Sequence, residues 1–202
     1  MLKSKFYLGI FIFLLSCNTQ VNNEKIDKVE ENKVNLEKKE IIKLDTNFFY
    51  QEKLINTTLE DNQSKTSLSV NKIGNTALAW ISYDQDGDKL GIFSRVFDKN
   101  GKELIKEFQV NTTTINNQSN PSIAIDDNSN FMVTWEDDKK DNNTYGIFAK
   151  IFDKTGKIIS DEFQVNTYSE GSQQSAQIAS SKQGNFIIVW DSNKQDGNAY
   201  GI

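Results

Sequence analysis

Short apolar runs separated by Asn, Asp, Gly and Ser begin near residue 48 and continue to the end of the chain. Runs of this length, rich in Phe, Ile, Val, Thr and Trp, predict β-strands bounded by turns. In GIFAKIFD (146–153), Ile147 and Ala149 alternate with Phe148 and Phe152. Because successive strand residues point to opposite faces, both faces of this strand are mainly apolar. This pattern predicts a sheet that is covered on both sides.

The pattern recurs at a constant interval along the chain. Trp80, Trp135 and Trp190 are equally spaced and define a period of 55, and EFQVNT occurs at 107–112 and again at 162–167. A diverged copy, EKLINT, stands one period before the first of these, at 52–57. Between the two longest matching stretches, 91–112 and 146–167, 14 of 22 positions are identical. Such a period predicts a repeat architecture. The units are 52–106, 107–161 and an incomplete 162–202.

Each unit predicts four strands, which in the second unit are 107–112, 121–126, 130–137 and 145–153. The segments FDKNGK and FDKTGK place Asp at a turn entry and Gly101 or Gly156 where a positive φ is needed, which predicts hairpins with a type I turn and a bulge. DDNSN (126–130) predicts a similar connection. The fold class is therefore all-β, with four-stranded antiparallel sheets stacked in tandem as an incomplete β-propeller. An open β-sandwich or solenoid is the alternative.

The segments SNKQDGNAYGI, GIFAKIFDKTGK, EFQVNT and NPSIAIDDNSNFMVTW resemble a tandem repeat of large bacterial surface and secreted proteins. The resemblance covers residues 52–202 and implies propeller blades in adhesin-like or uncharacterised hosts. It brings no catalytic residues. This chain has fewer units than the four or more blades of a closed propeller. We expect either that the gene is truncated, which we favour, or that other chains complete the ring through the open sheet edge.

Residues 1–16 predict a targeting segment. Lys3 and Lys5 precede an apolar run at residues 6–15, which is too short to span a bilayer but suits a signal peptide. The following Leu14-Leu15-Ser16-Cys17 resembles the lipobox of bacterial lipoproteins, which implies that Cys17 carries the lipid. An ordinary signal peptide with an incidental cysteine is the alternative. The acyl chains of a lipoprotein would hold the chain on a membrane.

Residues 17–47 are dominated by Lys, Glu and Asn and predict a charged tether, disordered or partly helical, before the repeat domain at 48–202. A partner helix is the less favoured interpretation. The chain has one cysteine and no histidine, which excludes disulfides, Ser-His and Cys-His catalysis, and His-bound metals within it. Its formal charge of −5 argues against nucleic acid as a partner.

Three aspartates, Asp84, Asp86 and Asp88, form the sequence DQDGD, which resembles the start of a calcium loop. Arg95 stands where an EF-hand needs Glu, and only the central aspartate recurs, as Asp141 and Asp196. A turn in which Asp caps its own backbone is the favoured interpretation, and a calcium site is the alternative. No other cofactor is predicted.

Acids in WEDD, Glu136 to Asp138, raise the question of glycoside hydrolysis, which needs two carboxyls held across a bond. Neighbouring strand residues point to opposite faces, and the other units show WISYD and WDSNK instead. No catalytic residue is therefore predicted. The three repeated tryptophans are expected to pack between successive sheets.

The leading functional hypothesis is a membrane-anchored surface lipoprotein whose β-repeat domain binds a protein or glycan ligand or has a structural role, without catalysis. We expect it in the bacterial cell envelope, at the outer membrane or cell surface, because Asn18 replaces the aspartate that signals inner-membrane retention in some lipoproteins. Self-association through open sheet edges is a further expectation. The alternatives are a glycan- or peptide-processing enzyme whose site lies in missing blades, and a non-functional remnant of a longer gene.

Overall fold

The computed structural model describes the backbone of residues 11–13 and the whole of residues 52–138 and 144–202. The predicted lipidation residue Cys17 and the tether at 17–47 lie outside the described residues. Phe11–Phe13 (β1) pairs with Glu52–Leu54 (β2) in a two-stranded sheet. Within the part of the chain that is described, no helix has the length and apolar character needed to cross a bilayer.

The remaining strands form three antiparallel sheets in which each strand pairs with the next one along the chain. Sheet 1 contains Gln63–Val70 (β3), Thr76–Tyr83 (β4), Leu90–Phe97 (β5) and Glu103–Gln109 (β6). Sheet 2 contains Gln118–Ile125 (β7), Phe131–Asp138 (β8), Tyr145–Phe152 (β9) and Ile158–Gln164 (β10). Sheet 3 contains Gln173–Ser180 (β11), Phe186–Asn193 (β12) and Tyr200–Gly201 (β13). The predicted class of tandem antiparallel sheets stacked as an incomplete β-propeller is confirmed.

The predicted hairpin turns are present. Asp98 Oδ1 accepts hydrogen bonds from the backbone N–H of Asn100 at 2.9 Å and of Lys102 at 2.8 Å, and Gly101 has a φ of 76°. Asp153 caps the equivalent turn in sheet 2, where Gly156 has a φ of 83°. Aspartate oxygens and positive-φ glycines therefore fix these two connections as the sequence predicts.

The sheets are out of phase with the predicted units. The segment predicted as the first strand of the second unit, 107–112, instead overlaps β6, the last strand of sheet 1. The physical reason is the Asp98–Gly101 turn, because a tight hairpin pairs the two strands that flank it. The same shift places the start of the third unit in β10. Repeated residues define the period, whereas the hairpins define which strands share a sheet.

Successive sheets stack face to face. We call the face of each sheet that carries Ala77 and Ala79 or their equivalents the front face, and the opposite one the back face. The front of sheet 1 packs on the back of sheet 2, where Val133 and Trp135 are fully buried in the same hydrophobic core. Phe108 of β6 extends this core with edge-to-face ring contacts, at a centroid distance of 5.1 Å to Phe152. Each large side chain buried in this way contributes about 1.5–3 kcal/mol.

Strand β9 confirms the expectation of a sheet covered on both sides. Ile147 and Ala149 on one face are fully buried, and Phe148 and Phe152 on the other are buried too. Lys150, on the same face as Phe148, is also buried. A strand with one face open to solvent would leave such a lysine exposed. Sheet 2 is therefore an interior layer of the stack.

Candidate functional site

The first strand of each stacked sheet, which we call its inner strand, carries a β-bulge at the same position. These inner strands are β3, β7 and β11. The pairing register shifts between Ser64 and Ser67 in β3, and equivalent shifts interrupt β7 and β11. The bulges contain Lys65, Asn120 and Ser175, which occupy the same position in successive repeats and have φ values of 53°, 47° and 58°. Non-glycine residues rarely adopt a positive φ, and bulges redirect side chains where they occur. These three positions therefore mark the place where polar groups converge between sheets.

Glu136 of β8 lies at the centre of this convergence. Its side chain is buried, its Oε1 accepts a hydrogen bond from the Ser175 N–H at 2.7 Å, and its Oε2 accepts one from Asn120 Nδ2 at 2.9 Å. Burial raises the pKa of this carboxyl above its ordinary value. Both hydrogen bonds and the charge of Lys65 oppose that rise, and the charge of Asp191 adds to it. We call these five residues the bulge cluster.

The bulge cluster holds a carboxyl whose proton affinity is raised, which is a property of general acids and bases. In this position, however, both carboxylate oxygens already accept hydrogen bonds: Oε1 holds the bulge of sheet 3 against sheet 2, and Oε2 holds the bulge of β7 within sheet 2. The neighbouring acid, Asp137, is also buried and accepts from Gln118 Nε2 at 3.5 Å. Glu136 and Asp137 therefore serve different hydrogen-bond networks, as expected for adjacent residues on a strand.

The calcium-loop residues point in different directions. Asp86 Oδ2 accepts from Asn111 Nδ2 at 3.1 Å, whereas Asp88 Oδ2 accepts from the Asn116 N–H at 2.8 Å. Asp84 has a φ of 58°, and its carbonyl accepts from Gly87 N–H within the turn. Among residues 52–138 and 144–202, no three His, Cys, Asp or Glu side chains lie close enough to hold a metal ion. The structure thus shows a turn that joins β4 to β5 and does not bring these carboxylates together.

The asparagine of EFQVNT is a junction between sheets. The buried Asn111 accepts a hydrogen bond from the Ile92 N–H of β5 at 2.8 Å, while its Nδ2 donates to Gln118 Oε1 of β7 at 3.2 Å. Asn166 accepts from Ile147 N–H of β9 at 2.8 Å in the same way. One amide side chain per repeat therefore satisfies buried groups that the strand ladders leave unpaired.

The glutamate of the same segment ties each sheet to the chain that leads into it. Glu107 accepts from the Thr57 N–H at 2.5 Å, and Glu162 accepts from the Thr112 N–H at 2.6 Å. These two contacts are equivalent from one repeat to the next. Charge-assisted hydrogen bonds of this kind are stronger than neutral ones.

A buried cation completes the same junction. Lys150 Nζ donates to the Val110 carbonyl at 3.3 Å and to Thr112 Oγ1 at 3.0 Å. In the preceding repeat, Arg95 donates to the Ile55 carbonyl. Burial lowers the pKa of Lys150, against the opposing effect of Asp161. The recurring charges of the repeat therefore have recurring structural partners.

Trp135 packs in the core between sheets 1 and 2, as predicted, whereas Trp80 lies on the back face of sheet 1, outside that core. Trp80 and Trp135 are fully buried, and their Nε1 atoms have no hydrogen-bond partner among the described residues. Trp190 is partly buried, and its Nε1 donates to Gln173 Oε1 at 3.2 Å. Trp80 and Trp135 therefore present no accessible aromatic face to a sugar ring.

Sequence reasoning missed the bulge cluster. It paired Glu136 with its chain neighbours, although the residue that follows each repeated tryptophan is the informative position. That position holds Ile81, Glu136 and Asp191, so aligning the repeats one residue beyond tryptophan shows two acids. The bulges themselves have no sequence signal, because Lys, Asn and Ser occupy a backbone conformation that usually selects glycine.

No protein-family model matches the chain, and no curated protein sequence does either. Among solved structures, the chain is similar to the crystal structure of an endo-arabinase from Bacteroides thetaiotaomicron VPI-5482, with a TM-score of 0.48 and 15% sequence identity. The similarity covers 76% of this chain and 58% of the endo-arabinase chain, so this chain spans less than two thirds of its length.

Proposed function

We propose that the chain is a membrane-anchored surface lipoprotein whose β-repeat domain is a non-catalytic binding or structural module. The proposal rests on the contacts that the repeated polar residues make. Asn111, Glu162 and Lys150 each join one sheet to the next or to its connecting segment. Stacked repeats gain stability from the interfaces between them. Polar residues that recur because they form these interfaces support a structural role for the repeat.

Attachment to the membrane rests on Cys17, the only cysteine of the chain, directly after a leader with two lysines and an apolar run. The test is metabolic labelling with a radioactive fatty acid, followed by membrane fractionation. We expect the native chain to be labelled and to sediment with membranes, and Cys17→Ala to be unlabelled and to keep its leader. Membrane retention of Cys17→Ala with unchanged mobility would contradict the anchor.

The cell-surface location has its own test. Intact cells treated with a protease should lose the repeat domain if it faces outward, whereas a periplasmic marker should survive. A domain that is digested only after the outer membrane is opened would place the protein inside the envelope. This outcome would leave the anchor intact and correct the location alone.

A second candidate function is glycan or peptide hydrolysis, favoured by one observation. Glu136 and Asp191 occupy equivalent positions on neighbouring sheets, and the charge of Asp191 helps to raise the pKa of Glu136. A carboxyl with a raised pKa beside a second carboxyl is an arrangement that suits acid–base catalysis. The test is a panel of polysaccharides and peptides. Hydrolysis of any of them that is abolished by Glu136→Gln, in a variant whose unfolding midpoint is not lower than that of the native chain, would favour this candidate over the module.

A further inference from the structure

The hairpin turns of the three stacked sheets lie together at one end of their strands. They span residues 71–75, 98–102, 126–130, 153–157 and 181–185. Because consecutive strands of each sheet are antiparallel, every second connection falls at this end. Turns of neighbouring sheets are in contact: Asn71 Nδ2 donates to the Asp126 carbonyl at 3.0 Å, and a Cβ on Gly184 would lie 3.1 Å from Asp126 Oδ2. We call this surface the hairpin end, and the opposite ends of the strands the loop end.

The hairpin end presents exposed lysines from all three sheets. They are Lys72, Lys99, Lys102, Lys154, Lys157 and Lys182. Lys99 and Lys102 of sheet 1 recur one repeat later as Lys154 and Lys157 of sheet 2. The repeat therefore brings a pair of cations to this end each time it forms the hairpin between its last two strands.

The carboxylates of the hairpin end are bound within the turns. Asp98 and Asp153 each accept hydrogen bonds from two backbone N–H groups of their own turn. Asp126 is buried and caps its turn in the same way, and Asp127 Oδ2 lies 3.2 Å from Lys72 Nζ. The six lysines and these four aspartates give the hairpin end a formal charge of +2, although the chain as a whole carries −5.

The loop end has the opposite sign. The loop between β4 and β5 carries Asp84, Asp86 and Asp88 against Lys89, and residues 60–61 add two exposed acids. The eight residues of β4 separate the two ends by about 26 Å, at about 3.3 Å per residue. This distance is about three Debye lengths at physiological salt. The acids of the loop end therefore contribute little to the potential just outside the hairpin end.

We infer that the hairpin end docks on an anionic lipid surface, with its lysines against the phosphate groups of the lipid headgroups. Lysine ammonium groups near a membrane are attracted by anionic lipids. The lysines stand on the tips of separate hairpins in sheets that stack about 10 Å apart, so they form a broad surface that matches a plane of phosphates. The inference rests on the proposed membrane anchor and adds an orientation to it: the hairpin end faces the bilayer and the loop end faces away.

The test uses the full-length mature chain in vesicles of phosphatidylcholine alone, or of phosphatidylcholine and phosphatidylglycerol in equal parts. The lysines are briefly acetylated, and the modification of each is measured by mass spectrometry. We expect Lys102 and Lys157 to react severalfold more slowly on the anionic vesicles than on the neutral ones, and Lys89 and Lys194 at the loop end to react equally on both. Salt at about 1 M shortens the Debye length to about 3 Å and should remove the difference. Equal modification of Lys102 and Lys157 on both vesicles at low salt overturns the inference.

Charge reversal provides matched variants. Lys99→Glu with Lys154→Glu acts at the hairpin end, and Lys89→Glu with Lys194→Glu makes the same change in net charge at the loop end. We expect the first pair to abolish the protection seen in the native chain and the second pair to preserve it. Equal loss of protection in both pairs would mean that net charge alone governs binding, which contradicts docking through the hairpin end. If either pair lowers the unfolding midpoint, the vesicle comparison with the native chain decides.

Sedimentation of the same samples separates this inference from the proposed anchor. A chain that does not sediment with neutral vesicles contradicts the anchor, and protection on anionic vesicles alone then still supports docking through the hairpin end. A chain that sediments with both vesicles and shows no protection keeps the anchor and overturns the docking surface. Heparin, a soluble polyanion, is the last arm. Protection by heparin without protection by anionic vesicles would indicate an acidic polymer as the partner and would overturn the assignment to lipid.

Discussion

At the scale of single residues, the repeat depends on one buried amide. Asn111 connects β5, β7 and the segment between them through both ends of its side chain. No apolar residue of similar size can accept from Ile92 and donate to Gln118 at once. The asparagine of the repeated segment therefore recurs for a physical reason. It forms hydrogen bonds with buried backbone groups where the chain passes from one sheet to the next.

Replacing this amide tests that role. Asn111→Ala leaves the buried Ile92 N–H without its acceptor, which costs about 1–3 kcal/mol. We expect the free energy of unfolding in urea to fall by that amount. Asn100→Ala, in the exposed hairpin turn, is the matched control and should change the free energy of unfolding far less. If both substitutions lowered the free energy of unfolding equally, the buried hydrogen bonds of Asn111 would contribute no more to stability than an exposed turn residue does.

Glu136 makes a prediction about pH. Burial raises the pKa of its carboxyl in the folded protein above the ordinary value of 4.5, so the folded state holds the proton to higher pH than the unfolded state. Its contribution to stability is therefore complete below pH 4.5 and falls as the pH rises through the folded pKa. Glu136→Gln does not titrate. We expect the native chain to lose stability relative to this variant between pH 4.5 and neutrality in unfolding measurements, and the opposite trend would mean that the pKa is depressed.

At the scale of elements, the hairpins depend on one backbone conformation. Gly156 has a φ of 83°, and a Cβ at this position would lie 3.1 Å from Ile105 Cγ2 of sheet 1. Gly156→Ala and Gly156→Asn add the same Cβ, but Asn tolerates a positive φ better than Ala does. We therefore expect Ala to lower the free energy of unfolding by about 1 kcal/mol or more and Asn to lower it less. If Ala and Asn lowered the free energy of unfolding equally, the cost would come from the contact with Ile105 and not from the positive φ.

At the scale of the whole molecule, the sequence predicts the period, the strands and the turns because each has a local cause. Alternating apolar residues indicate strands such as β8, and Asp98 with Gly101 indicates a hairpin. The phase of the sheets follows from these hairpins, whereas the bulge cluster depends on contacts between segments that are far apart in the sequence. Lys65 and Ser175 carry no local mark of a bulge, and Glu136 acquires its raised pKa only when sheet 3 covers it. Tertiary packing alone creates these features.

Stacking also predicts a gradient of local stability along the chain. Strand β8 is paired on both sides over its full length and is covered on both faces, whereas β12 pairs with β13 only at Ser192 and Asn193. Local opening follows the loss of such contacts. We expect backbone amides of β12 to exchange hydrogen at least tenfold faster than those of β8 in dilute protein, as measured by mass spectrometry. Exchange in β12 as slow as in β8 would mean that each sheet is stable by itself, which contradicts the dependence of one repeat on the next.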